Sequence, residues 1–122
     1  MRKSPKRFYP LDFCSHRRGR PSAKVKEIAR RIAEHPENEY PVAALAAEAA
    51  LSSFAFTEAF KRETGLTPHA YLVDQRVRRA CDDLKAHRGS IRRISMKWRF
   101  SSPQHMSAAF KRILGVTPSM VV

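Results

Sequence analysis

The sequence predicts an all-α protein. Apolar residues recur three and four apart through most of the chain, the helical period, and alternating β-branched runs are absent. One phrase also occurs twice. AFKRETGLTP at 59–68 and AFKRILGVTP at 109–118 lie 50 residues apart and share seven of ten positions. The repetition predicts two copies of one helical unit, joined by a long central helix and preceded by a flexible basic arm.

A chain of 122 residues holds one ordinary domain or two very small ones. Its net charge of +13 is large for that length and points to polyanions: DNA, RNA or an anionic membrane surface. The charge is uneven. Residues 1–35 carry +8, residues 36–70 carry −3 (Glu37, Glu39, Glu48, Glu58 and Glu63 against Lys61 and Arg62), and residues 71–122 carry +8. Cys14 and Cys81 have no metal-like spacing and read as reduced thiols. No apolar run approaches the ~18–20 residues of a membrane span, and no secretory signal is visible. The expectation is a soluble, cytoplasmic protein without membrane association.

The elements follow in order. Pro5, Pro10, Gly19 and Pro21 make residues 1–21 an irregular arm. A helix is expected to begin near Ser22, a good N-cap, with Val25, Ile28, Ala29 and Ile32 inward. Pro36 and the polar stretch after it end that helix. Residues 42–49 form a short helix with Val42, Leu45, Ala46 and Ala49 on one face. After a tight turn, Ser52 caps a helix whose Phe56 and Phe60 face inward, while Phe54, Thr57, Glu58 and Lys61 face out. Gly65 ends it. A central helix over roughly 69–86 carries Tyr71, Leu72, Val77, Ala80, Cys81 and Leu84 as its apolar stripe.

The second copy repeats the plan. Residues 91–98 present Ile91, Ile94 and Trp98 on one face. Ser102 then caps a helix with Pro103 at its first position. Met106, Phe110, Ile113 and Leu114 face inward; Gln104, Ser107, Ala108 and Lys111 face out. Gly115 and Pro118 close the unit. The division expected is an arm at 1–21, a first subdomain at 22–68, a linking helix at 69–87 and a second subdomain at 88–122.

Short helix, tight turn, second helix with a polar outer face: this is helix-turn-helix logic. The central helix would be about 27 Å long at 1.5 Å per residue. That length suits two reading heads one DNA turn apart, ~34 Å. The recognition helices would be about 53–64 and 103–114, inserted into successive major grooves. VAALAAEAALSSFAFTEAFKRETGLTPHAYLVDQRVRRACDDL and SIRRISMKWRFSSPQHMSAAFKRILGVTP resemble the DNA-binding domain of AraC/XylS transcription regulators over residues 42–120. The resemblance implies a sequence-specific regulator of double-stranded DNA, of the stand-alone kind with no small-molecule effector domain, needing no cofactor. A bacterial, nucleoid-associated location goes with it, as does RNA polymerase or another regulator as a candidate partner.

The candidate base readers are Phe54, Thr57, Glu58, Gln104, His105 and Ser107. Gln104 can pair with adenine N6/N7, and Phe54 can meet thymine methyls. Lys61, Arg62, Arg92, Arg93, Arg99, Lys111 and Arg112 are candidates for phosphate, with Lys97 on the same edge. Where the family often has arginine, this chain has Glu58 in one copy and Ala108 in the other. Glu58 can accept from cytosine N4, but phosphates repel it, so the first unit is expected to grip DNA weakly or to face a protein partner. Ala50 and Arg99 stand at a turn position often glycine in the family, and a left-handed backbone there costs roughly 1–2 kcal/mol. Ser95 replaces a small apolar residue and can bond back to the preceding turn. In the arm, RRGRP at 17–21 resembles an AT-hook core, with Arg17, Arg18 and Arg20 as minor-groove candidates. A solvated basic linker is the other reading.

Two further classes remain open. An architectural binder would use backbone and shape rather than base edges. An interaction module would use the acidic first unit. No nucleophile–base pair, carboxylate pair, metal cluster or phosphate loop indicates an enzyme.

Overall fold

The computed structural model describes residues 20–122, with side chains from Ser22 onward. Among the described residues all regular structure is helical. The helices are α1 (Arg20–Glu34), α2 (Val42–Glu48), α3 (Ser53–Thr64), α4 (Pro68–Lys85), α5 (Ile91–Lys97), α6 (Pro103–Leu114) and α7 (Pro118–Val121). The chain divides into two compact units, the first ending at Tyr71 and the second running from Leu72 to Val122.

In the first unit α1 and α2 both pack on α3. Val25, Ile28 and Ile32 of α1 are buried with Leu45, Ala46 and Ala49, and with Phe56 and Phe60 of α3. The rings of Phe56 and Phe60 lie 5.7 Å apart, and Tyr71 meets Phe60 edge-on at 5.4 Å. Tyr40 closes the end of α1: its hydroxyl lies within hydrogen-bonding distance of the carbonyls of Arg31 and His35, at 3.2 and 2.7 Å, beside the backbone bonds those carbonyls already accept. Across the surface, Arg31 grips the Glu48 carboxylate with both guanidinium nitrogens, and Lys24 approaches the same group. The hydrogen bonds from Arg31, opposed by desolvation and helped by its charge, hold Glu48 below the ordinary glutamate range.

The second unit has its own core. Val73, Val77, Ala80 and Leu84 of α4 pack with Ile94, Trp98, Phe100, Met106, Ala109 and Phe110. Asp83 is buried at the edge of this core and accepts hydrogen bonds from Trp98, Lys97 and Arg88. Ser95 is also fully buried, and its hydroxyl donates to the Arg92 carbonyl at 2.8 Å, as the back-bonding expectation required.

The expected punctuation is largely present. Ser52 accepts from the Ala55 amide at 3.1 Å and Ser102 from the His105 amide at 3.0 Å, each capping its helix. Gly65 and Gly115 take left-handed conformations at φ 87° and 80°. Three expectations need correction. Helix α1 starts at Arg20, so Ser22 lies in its first turn rather than at its cap. The arm boundary at 21 moves for the same reason: Pro21 is the second helical residue, where a missing N–H is harmless. Arg20 is therefore not part of an extended strand, and the AT-hook reading loses its proline-extended end. Arg17 and Arg18 lie outside the described residues. The segment after Pro118, expected only to close the unit, adds the short helix α7.

Candidate nucleic-acid interface

Each unit contains a short helix, a turn and a longer helix. The axes of α2 and α3 bend by 84° at their break, close to the helix-turn-helix range. Turning so sharply needs a left-handed residue, and each copy spends a non-glycine there: Ala50 at φ 60° and Arg99 at φ 65°. The same backbone bonds follow in both copies. Leu51 donates to the Ala46 carbonyl and Phe100 to the Ser95 carbonyl, each at 2.9 Å, the closing bond of a Schellman turn.

The turns differ by one residue. Four residues separate α2 from α3 and five separate α5 from α6. The additional residue is Ser101, and His105 holds it. The His105 Nδ1 accepts from the Ser101 backbone N–H at 3.3 Å and lies 3.1 Å from the Ser101 hydroxyl. Its ring stands edge-on to Phe100 at 5.8 Å. His105 thus braces the turn with Nδ1, which leaves Nε2 for any outside partner. Turn length was the one signal in the sequence for this role.

The outward face of α3 carries the expected side chains. Phe54 is 76% exposed, a large apolar surface for one residue, while Thr57 and Glu58 are half-exposed and Lys61 and Arg62 are exposed. On α6, Gln104, Ala108, Lys111 and Arg112 are exposed and Ser107 is half-exposed. The opposite faces bury Phe56, Ala59 and Phe60 in one copy and Met106, Ala109 and Phe110 in the other. The core faces match, and the outer faces differ in chemistry.

The cations sort by whether the chain already uses them. Lys24 and Arg31 are tied to Glu48 and Glu27, Arg78 to Asp74, and Arg88 and Lys97 to Asp83. Lys97 is one of the paired cations: it bonds Asp83 at 3.0 Å and lies 5.1 Å from the Trp98 ring centre. Arg99 also has an interaction within the chain. Lys61, Arg62, Arg92, Arg93, Lys111 and Arg112 are exposed and form no ion pair among the described residues. Met96 is 65% exposed among these α5 cations.

The carboxylates sort the same way. Of the five in 36–70, Glu48 and Glu37 pair with Arg31 and His35, and Glu39 and Glu63 have interactions within the chain. Glu58 has no hydrogen bond or ion pair among the described residues. The net acidity of the segment therefore overstates its outward charge, because α1 folds Lys24 and Arg31 onto Glu48. Among the described residues, no three His, Cys, Asp or Glu side chains are grouped to hold a metal ion. No single described helix is long and apolar enough to cross a membrane.

The chain matches the family model described as a helix-turn-helix domain over residues 45–122. It is 27% identical over 95 residues to the HTH-type transcriptional regulator MtrA of Neisseria gonorrhoeae, covering 78% of this chain and 32% of that one. It is 34% identical over 87 residues to the regulator AlkR of Acinetobacter baylyi, covering 71% and 28%. The TetD protein of transposon Tn10 from Escherichia coli is 28% identical over 95 residues, covering 78% and 69%. The chain thus spans about a third of the length of the first curated relatives it matches. Among solved structures, the DNA-binding domain of AdpA in complex with a target DNA is similar at a TM-score of 0.69 and 32% identity, over 82% of this chain and 87% of that one. An AraC-type regulator from Chromobacterium violaceum has the same fold at a TM-score of 0.72 and 24% identity, over 81% and 88%.

Proposed function

This chain belongs to the AraC-type helix-turn-helix family, and from that premise we propose that it is a sequence-specific double-stranded DNA-binding transcription regulator that inserts α3 and α6 into successive major grooves. The observation that carries this reading is the doubled unit itself. Each copy buries one face of its longer helix and leaves the other lined with short polar, amide or aromatic side chains, with unpaired Lys–Arg dipeptides one turn further on.

Gln104 and Ser107 read one groove, and Phe54, Thr57 and Glu58 the other. Lys61, Arg62, Arg92, Arg93, Lys111 and Arg112 neutralise phosphates, and that sequence-independent contact positions the readers. His105 contributes through Nε2 alone, because Ser101 occupies its other nitrogen. The setting is bacterial cytoplasm and nucleoid, and RNA polymerase or a second regulator is the protein partner such a molecule would meet on a promoter.

The test is selection of bound duplexes from a random library at about 150 mM salt, where screening is physiological. A bipartite motif with halves about 10 bp apart is the expected result. Recovery without any enriched motif would replace this reading with architectural binding.

A further inference from the structure

We infer that Glu58 makes the first reading head select a cytosine edge, so that the two copies of one repeat read different chemistries. The inference rests on the DNA-reading function proposed above and goes beyond it by naming the base.

The position comes first. Glu58 lies one turn after Phe54 and beside Thr57 on the outward face of α3. It is half-exposed and, alone of the five carboxylates in its segment, has no partner among the described residues. Lys61 and Arg62, three and four residues on, form no ion pair with it. Among the described residues no hydrogen bond or ion pair uses its charge.

The chemistry then narrows the choice. A carboxylate only accepts hydrogen bonds. In the major groove guanine presents N7 and O6, both acceptors, and thymine presents O4, an acceptor, beside its methyl group. Both repel Glu58. Adenine has a donor at N6 with the acceptor N7 beside it, so one carboxylate oxygen gains what the other loses. Cytosine presents the N4 donor without an adjacent acceptor on its own edge. The preference is therefore cytosine, then adenine, with guanine and thymine rejected. Phosphate repulsion lowers affinity for every sequence, but only cytosine offsets it, so the unfavourable charge acts as a selector.

The experiment repeats the random-duplex selection with the full chain and with Glu58→Gln and Glu58→Ala. The Glu58 side chain forms no hydrogen bond or ion pair among the described residues, so both variants should retain the wild-type helical circular dichroism. For the wild type, one position of the first half-site should favour cytosine over guanine by about tenfold, within the range of a single good base contact. Glu58→Gln should move that preference to adenine, because a carboxamide matches N6 and N7 together. Glu58→Ala should flatten it and bind guanine- and thymine-containing sites more tightly than the wild type does. The half read by Gln104 should be the same in all three. Identical first-half motifs from wild type and Glu58→Gln, with the second half recovered, would overturn this inference and leave the regulator reading standing. Absence of both halves from every selection would overturn both.

Discussion

The indole Nε1 of Trp98 donates a 2.9 Å hydrogen bond to Asp83 Oδ2, and Lys97 Nζ reaches the same oxygen at 3.0 Å. Arg88 bonds the other carboxylate oxygen at 3.3 Å. Asp83 sits near the end of α4 and Trp98 directly after α5, so the contact fixes the helix-turn-helix scaffold of the second unit to the helix behind it. A buried carboxylate is costly unless it is paired and hydrogen-bonded; here three donors meet it.

Asp83→Ala should destabilise the second unit by about 2–3 kcal/mol, the scale of hydrogen bonds to a charged group. Trp98 is the only tryptophan in the chain, so its fluorescence during urea unfolding reports this directly. The pH dependence has a definite sign. Burial alone would raise the Asp83 pKa, but the hydrogen bonds from Trp98 and Lys97 and the charges of Lys97 and Arg88 outweigh it and hold it below the ordinary value. The stabilisation is therefore complete above the unfolded pKa of about 3.9 and is lost as pH falls through the lower folded value. Asp83→Asn should show less acid destabilisation than the wild type below about pH 4.

The turn residues give a prediction of opposite sign. Ala50 and Arg99 hold left-handed backbones, which cost a non-glycine residue roughly 1–2 kcal/mol. Glycine removes that strain but loses more entropy on folding. Ala50→Gly should therefore raise stability by about 1 kcal/mol, seen as a rise of roughly 4–8 °C in Tm. Arg99→Gly relieves the same strain in the second unit but gives up the interaction Arg99 makes within the chain, so its gain should be smaller. Conversely, Gly65→Ala and Gly115→Ala should lower Tm through backbone strain alone, because an added Cβ meets nothing within 4 Å at either site.

These turns also mark where the sequence was readable. Helix stops and starts were legible because Ser52, Ser102, Gly65 and Gly115 act on neighbours within a few residues, and the core faces because Phe56/Phe60 and Met106/Phe110 recur at helical spacing. Contacts between distant residues were not. Arg31 and Glu48 are 17 residues apart and Asp83 and Trp98 are 15 apart, and no local pattern announces either pair. Lys97 reads as part of a phosphate-facing edge, and nothing near it in sequence points to Asp83, 14 residues earlier. Ser22 looked like a cap because it is a good one, but the helical pattern extends two residues earlier through a proline suited to a first turn. His105 kept its place beside the reading face, while its bond to Ser101 depends on an insertion visible only when the two turns are counted against each other.

The unpaired cations predict a steep salt response. Each phosphate neutralised contributes about −0.9 to the slope of log affinity against log salt. Alanine at Lys111, Arg112, Arg92 or Arg93 should each reduce the slope by about 1 and weaken binding to all sequences alike. Alanine at Lys97 should leave the slope unchanged while lowering Tm, because that ammonium is already held by Asp83. Fluorescence anisotropy titrations at several salt concentrations separate the two behaviours.

The last prediction contrasts with the salt series. Gln104 is exposed in the first turn of α6, behind the Ser102 cap and Pro103. Its carboxamide offers a donor and an acceptor side by side, matching adenine N6 and N7, and a bidentate pair of that kind discriminates by about 1–3 kcal/mol. Gln104→Ala should therefore cost that much on the selected site and almost nothing on random duplex, with the salt slope unchanged. Competition titrations against the four base pairs at the adenine position measure it. Wild type should rank them steeply and Gln104→Ala should bind them nearly alike. Ala108, one turn on, has only a methyl group to offer. On this assignment Gln104 is expected to make the bidentate contact of α6, with Ser107 limited to a single hydroxyl, and a second steeply adenine- or guanine-specific position in that half-site would contradict it.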